Sequence, residues 1–142
     1  MKRAIHTVAF QVAWDLGARI SPMVDPFTKG LAPLQFRALR LIWAQKQATL
    51  MEIAKTLRRD KSQVTRLIDE LCDAGFVERV PNEADRRSKL LLLSEKGQQL
   101  FASVEAIEAR FAERLVEGID RADLETYFAV SDRLIENLKE ID

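Results

Sequence analysis

In the stretch RRDKSQVTRLIDEL, Arg58 to Leu71, the side chains of Ser62, Gln63, Thr65 and Arg66 lie opposite an apolar stripe of Val64, Leu67, Ile68 and Leu71 at helical spacing. A helix with one face built for a core and the other short, polar and basic has the chemistry of a base reader. Base edges in a major groove offer donors and acceptors, and the flanking phosphates are anionic. Arg66 suits two parallel hydrogen bonds to a guanine, while Ser62 and Thr65 suit phosphates as well as bases. Gln63 has two roles open to it. It stands three residues after Asp60, the spacing of a capping box that would turn its amide toward the backbone, or it reaches outward to a base. Arg59, in the turn before the helix, and Lys61, at its start, add cations placed for phosphates.

Other chemistries lack their residues. A zinc site needs three or four ligands and a catalytic triad a histidine beside a nucleophile, but the chain has one histidine, His6, and one cysteine, Cys72, with no motif around either. The five glycines are scattered at 17, 30, 75, 97 and 118, so no phosphate-cradling loop exists. Paired carboxylates such as Asp69 and Glu70 sit on a lysine- and arginine-bearing surface and read as solvated charges. An enzyme is not expected, nor a cofactor, nor a redox role for Cys72.

The 142 residues, 47% hydrophobic and 31% charged, fit one globular domain with a core that needs no metal or disulfide. No apolar run is long enough to span a membrane, the N-terminal segment is periodic rather than continuous, and a lone cysteine suits a reducing interior. The expected compartment is the cytoplasm. Net charge is zero, but residues 31–93 hold 12 Lys/Arg against 8 Asp/Glu, and residues 94–142 hold 6 against 12. Between Lys55 and Arg66, five cations face only Asp60. A local basic patch on a neutral chain is the footprint of a specific polyanion binder.

The elements that must position these residues follow from periodicity. Ile5, Val8, Val12, Leu16 and Ile20 make an amphipathic helix over 4–20, ended by the loop SPMVDPFTKG with Pro22, Pro26 and Gly30. A second helix starts at Pro33 and runs to about Gln45, and a short third covers Leu50 to Leu57. The turn RRD then leads into the helix from Lys61, which stops at Gly75, where Phe76 can fold back over its end. This is a helix-turn-helix. FVERV and KLLLL, separated by PNEADRRS, read as a β-hairpin over 76–93, a wing beside that helix. On an extended strand Asp85 and Arg87 would share one side, so that the carboxylate could hold the guanidinium; Arg86 sits at the tip. Two long helices close the chain, one after Ser94 and one after the cap Asp120.

The order GLAPLQFRAL, LMEIAKTL, KSQVTRLIDEL, GFVERVPNEADRRSKLLLLSEKG and two long helices resembles the MarR family of bacterial transcription regulators over essentially the whole chain. The resemblance implies an α+β, predominantly α fold: a winged helix-turn-helix lobe at 31–93, flanked by dimerisation helices at 1–30 and 94–142, in one MarR-like domain. It also implies a homodimer on a palindromic DNA operator, a repressor in many members, often released by a small aromatic or phenolic effector. Carried over residue by residue, it sends Arg87 into a minor groove with Asp85 as orienting partner, and Arg86 to a phosphate. Trp14, Phe10 and Trp43 could line an effector cavity between the first, second and fifth helices, but aromatic residues at helical spacing more often belong to a core, and no ligand residue is assigned. Ala32, Cys72 and Ile53 depart from the residues common in the family, none of them at a DNA contact. A winged-helix protein-interaction module without DNA binding is the alternative.

Overall fold

Helix α1 runs from Ile5 to Thr28 in the computed structural model, which describes residues 3–141. It therefore continues through Pro22 and Pro26, where the sequence places a loop. Each proline removes one backbone donor. The two are four residues apart, hence on one side of the helix, and both are exposed, so the carbonyls they release are on the solvent side. On the other side Val24 is buried, and Ile20 packs against the same core. Apolar contact at these two positions carries the helix past its prolines.

Helices α2 (Pro33–Gln45), α3 (Leu50–Leu57) and α4 (Lys61–Asp73) fall where periodicity and turn residues place them. Strands β2 (Val77–Pro81) and β3 (Lys89–Leu93) form the expected hairpin, with Val77 opposite Leu93 and Pro81 opposite Lys89. A two-residue strand, β1 (Ala48–Thr49), was not foreseeable from pattern. It pairs antiparallel with β3, giving the order β1-β3-β2. Leu91 and Leu93 are buried while Leu90 and Leu92 are half-exposed, the alternation of a sheet with one covered face. Helices α5 (Glu95–Leu115) and α6 (Arg121–Lys139) complete the chain. Asp120 precedes α6 as expected but makes no side-chain cap bond.

Two compact units divide the chain, Met1–Glu108 and Ala109–Asp142, the boundary falling inside α5. The core of the first unit is built on α2, whose Ala38, Leu39 and Ile42 are fully buried. Ile53, Val64, Ile68, Leu71, Leu91, Phe101 and Val104 converge on it. In the second unit no residue of α6 is buried, and Tyr127, Phe128, Leu134 and Leu138 are exposed.

The joint between the wing and α5 is tight. Ser94 donates from its hydroxyl to Gly75 O and accepts from Gly97 N–H at 3.1 Å, and Ser94 N–H donates to Phe76 O at 2.9 Å. A Cβ added at Gly97 would stand 2.5 Å from Phe76 O and 3.2 Å from Leu93 Cβ. Both neighbours are held, one by its backbone bond and one in the core. Gly97→Ala is therefore expected to destabilise by about 1–2 kcal/mol, although alanine is the better helix former. Urea unfolding checks this; an unchanged or raised midpoint would mean the joint yields.

Candidate nucleic-acid interface

The turn between α3 and α4 sets the interface. Arg58 takes the left-handed conformation (φ 53°), its N–H donating to Lys55 O, while Arg59 N–H reaches back to Ala54 O at 3.1 Å. Such a helix stop ordinarily uses glycine, because a side chain there is strained. The strain is tolerated at a residue whose cation lies beside Lys55, Arg59 and Lys61 along one open depression. Sequence reasoning placed Arg58 only within the general basic patch. The missing glycine in RRD is the signal that one arginine must adopt positive φ.

Asp60 caps α4. Its Oδ1 accepts from Gln63 N–H at 2.8 Å and from the Ser62 hydroxyl at 2.6 Å. The Ser62 hydroxyl, then the Gln63 N–H, hold its carboxyl below the usual carboxylate range, so the cap stays ionised at neutral pH. Only half of the capping box forms. Among the described residues the Gln63 side chain makes no return bond to Asp60, and it is exposed. Thr65, half-buried, donates to Lys61 O at 2.7 Å, which commits its proton and leaves its oxygen able to act only as an acceptor.

Lys61, Ser62, Thr65 and Arg66 are thus brought together around one shallow depression on α4, which Asp69 also lines. Behind it, Val64, Leu67, Ile68 and Leu71 are buried. The C-terminal end is fixed by a Schellman motif: Phe76 N–H to Leu71 O and Gly75 N–H to Cys72 O, both 3.0 Å, with Gly75 at φ 83°. Lys96 adds a bond to Ala74 O at 2.8 Å and lies over the Phe76 ring. Cys72 is half-buried, and burial raises its thiol above the usual range, which disfavours a reactive thiolate.

Three contacts near α4 escaped sequence reasoning, because each joins residues from different elements or turns. Arg79 of β2 pairs with Asp69, tying the wing to α4. Gln35 of α2 donates to Glu70 Oε2 at 2.9 Å, and Glu70 Oε1 lies 3.5 Å from Arg66 Nε. Arg66 itself remains 86% exposed.

The wing tip differs from expectation. Asp85, Arg86 and Arg87 lie in the turn between β2 and β3, not on an extended strand, and all three are exposed. Asp85 Oδ1 accepts from the backbone N–H of Arg87 at 3.0 Å, and no Asp85–Arg87 ion pair forms among the described residues. The carboxylate shapes the turn, as Asp side chains do two residues ahead of their own position, and leaves the guanidinium unheld. Ser88 N–H to Asp85 O (3.1 Å) and Asn82 Nδ2 to Ser88 Oγ (3.0 Å) close the loop.

A cavity of about 710 Å³ opens between α2, the sheet and α5. Ile42, Trp43, Leu92 and Leu93 supply its apolar wall, with Lys46, Glu78 and Glu105 exposed around it. Trp43 lines this cavity while stacking on Phe101 against the core, but no residue of α1 does, so it is not the cavity expected between the first, second and fifth helices; Phe10 and Trp14 are 72% and 77% exposed. Their side chains project from the N-terminal half of α1, which the core does not reach.

Residues 31–89 match the model of the MarR family. Among solved structures, the chain is similar to the transcriptional regulator PA3341, with 26% identity over 97% of this chain and 100% of the other and a TM-score of 0.79. Similar too is FabT of Streptococcus pneumoniae, solved in complex with DNA: 17% identity, 98% and 100% coverage, TM-score 0.76. The transcriptional regulator Tm0710 from Thermotoga maritima follows at 22% identity, 98% and 96% coverage and TM-score 0.66.

Proposed function

We propose, from the match of residues 31–89 to the MarR family model, that the chain is a MarR-family transcriptional regulator that binds double-stranded DNA, as a homodimeric repressor on a pseudo-palindromic operator. The observation that carries this is the first two turns of α4. They present Lys61, Ser62, Gln63 and Arg66 outward on a helix whose reverse side is locked in the core. A rigid helix that turns the donors of Lys61, Gln63 and Arg66 outward, beside a Ser62 hydroxyl whose proton is held by Asp60, is what groove readout requires. Arg58 and Arg59 add phosphate contacts at its N-terminal end, and Arg86 and Arg87 reach the flanking backbone and minor groove from the wing.

Uncovered apolar surface supports the dimer. Ile5, Phe10 and Trp14 of α1 and Tyr127, Phe128, Leu134 and Leu138 of α6 are exposed within one chain, more than a monomer ordinarily leaves in water. A two-fold partner that covers them would set two recognition helices about 34 Å apart, one turn of DNA. The cavity beside Trp43 is of a size to take a small aromatic effector. Among the described residues no helix is long and apolar enough to cross a membrane; it is the proposed binding of DNA that would put the protein in the cytoplasm.

Mobility shift against a genomic fragment library, repeated at two salt concentrations, tests the proposal. Discrete fragments should be retained, with affinity falling about a thousandfold or more between 50 and 200 mM salt. Sedimentation should give twice the chain mass at micromolar concentration. Retention of no fragment at either salt would leave a winged-helix protein-interaction module as the better account.

A further inference from the structure

The contacts behind Arg66 form a chain that crosses from α2 to α4. Gln35 Oε1 accepts from Ala32 N–H at 2.9 Å, and Gln35 Nε2 donates to Glu70 Oε2 at 2.9 Å. The Gln35 amide, at the third position of α2, thereby satisfies the backbone donor of the residue that precedes the helix, the returning half of a capping box. That use fixes the amide. A flip would set an NH2 group against the Ala32 N–H, so Nε2 must face Glu70. Glu70 then divides its oxygens, Oε2 to Gln35 and Oε1 toward Arg66 Nε at 3.5 Å.

We infer that Gln35 and Glu70 are positioning residues for Arg66, engaging its guanidinium at the Nε edge so that the two terminal amino groups point outward, and that they set base discrimination at the position Arg66 reads. The inference rests on the DNA-binding reading above. An exposed ion pair one turn apart on a helix orients little by itself, because both side chains give up rotamer freedom to hold it. Here one partner is already restrained from another helix, so only the arginine has freedom left to lose. Guanine N7 and O6 accept from the outer fork of the guanidinium, and that fork is what remains free when Nε faces a carboxylate. Glu70 also places a negative charge, half-exposed, beside the groove. It weakens attraction to phosphates everywhere while leaving the guanine contact intact, which raises the ratio of specific to non-specific binding.

The test uses fluorescence anisotropy of the full chain on a preferred duplex and on duplexes altered at the base pair whose preference Arg66→Ala flattens. Glu70→Gln should lower the preference ratio about threefold, the energy of one such pair counted in both subunits, and tighten non-specific duplexes about twofold. Gln35→Leu should lower the ratio in the wild-type background and add nothing to Glu70→Gln, since both act through one chain of contacts. A thermal midpoint measured beside each variant separates positioning from mere structure. A lowered midpoint with an unchanged ratio for Gln35→Leu and Glu70→Gln would overturn the inference while leaving Arg66 as reader. Should Arg66→Ala itself flatten no position, the base-reading role falls, and this inference with it.

Discussion

Replacing Phe101 by alanine is expected to cost about 3–5 kcal/mol of folding free energy, the largest loss foreseen for any single side chain here. The ring is 1% exposed and stacks on Phe36 (centroids 5.3 Å apart, 16° between planes) and on Trp43 (6.0 Å, 26°). Arg40 lies over Phe36 at 5.1 Å and over Phe101 at 5.9 Å, and binds both carboxylate oxygens of Glu108 at 2.5 and 3.1 Å. Removing the ring therefore opens a cavity, strips two aromatic contacts and leaves Arg40 a poorer seat between α2 and α5. The neighbours Phe36, Arg40 and Trp43 come from successive turns of α2 and cannot collapse into the space together. Chemical unfolding at fixed protein concentration measures the loss, which matters because dimerisation would make stability concentration-dependent. Phe101→Leu, which keeps much of the volume, should cost less than half as much. A loss under about 1 kcal/mol for the alanine variant would show that this cluster is not where the two helices are held.

The winged lobe was legible in the sequence because its signals are local. Pro33 opens α2, Asp60 and Gly75 bracket α4, and the polar PNEADRRS divides two apolar runs, so each boundary is written within a few residues of itself. What escaped notice depends on partners distant in sequence. Two prolines in a row of helical turns read as a loop until Ile20 and Val24 are seen packed on the core. Two residues, Ala48 and Thr49, form a strand only because Leu91 and Leu90 stand opposite. Asp85 and Arg87 share a side only if the chain is extended there, and a turn that uses the Asp85 carboxylate for its own backbone removes that premise. The residues of the candidate interface on α4 were all readable, since one helix and its stripe suffice to find them. The Gln35–Glu70 link behind Arg66 spans 35 residues and was not.

Substitution of Arg66, Arg59 and Arg87 should separate reading from holding. Arg66→Ala is expected to cost about 1–3 kcal/mol on the preferred operator and to flatten preference at one symmetric pair of positions, because a bidentate guanine contact is lost while few phosphate contacts change. The exposure of Arg66 and the buried stripe beneath it mean that the substitution leaves the fold intact. Arg59→Ala removes a cation in the turn before α4 and should weaken all duplexes about equally, reducing the salt slope by about one per subunit. Arg87→Ala should fall between them. Its guanidinium is not held by Asp85, so its contribution comes from electrostatic attraction and not from a preformed geometry, and the loss should be greatest where operator flanks are A·T-rich and the minor groove narrow. Asp85→Asn, which can still accept from Arg87 N–H, should then change binding less than Arg87→Ala does, whereas an orienting carboxylate would make the two losses similar. Anisotropy on an operator panel at several salt concentrations measures all four variants. Equal, sequence-independent losses for Arg66 and Arg59 would remove Arg66 as a reader, and unchanged binding in every variant would remove DNA as the ligand of this face.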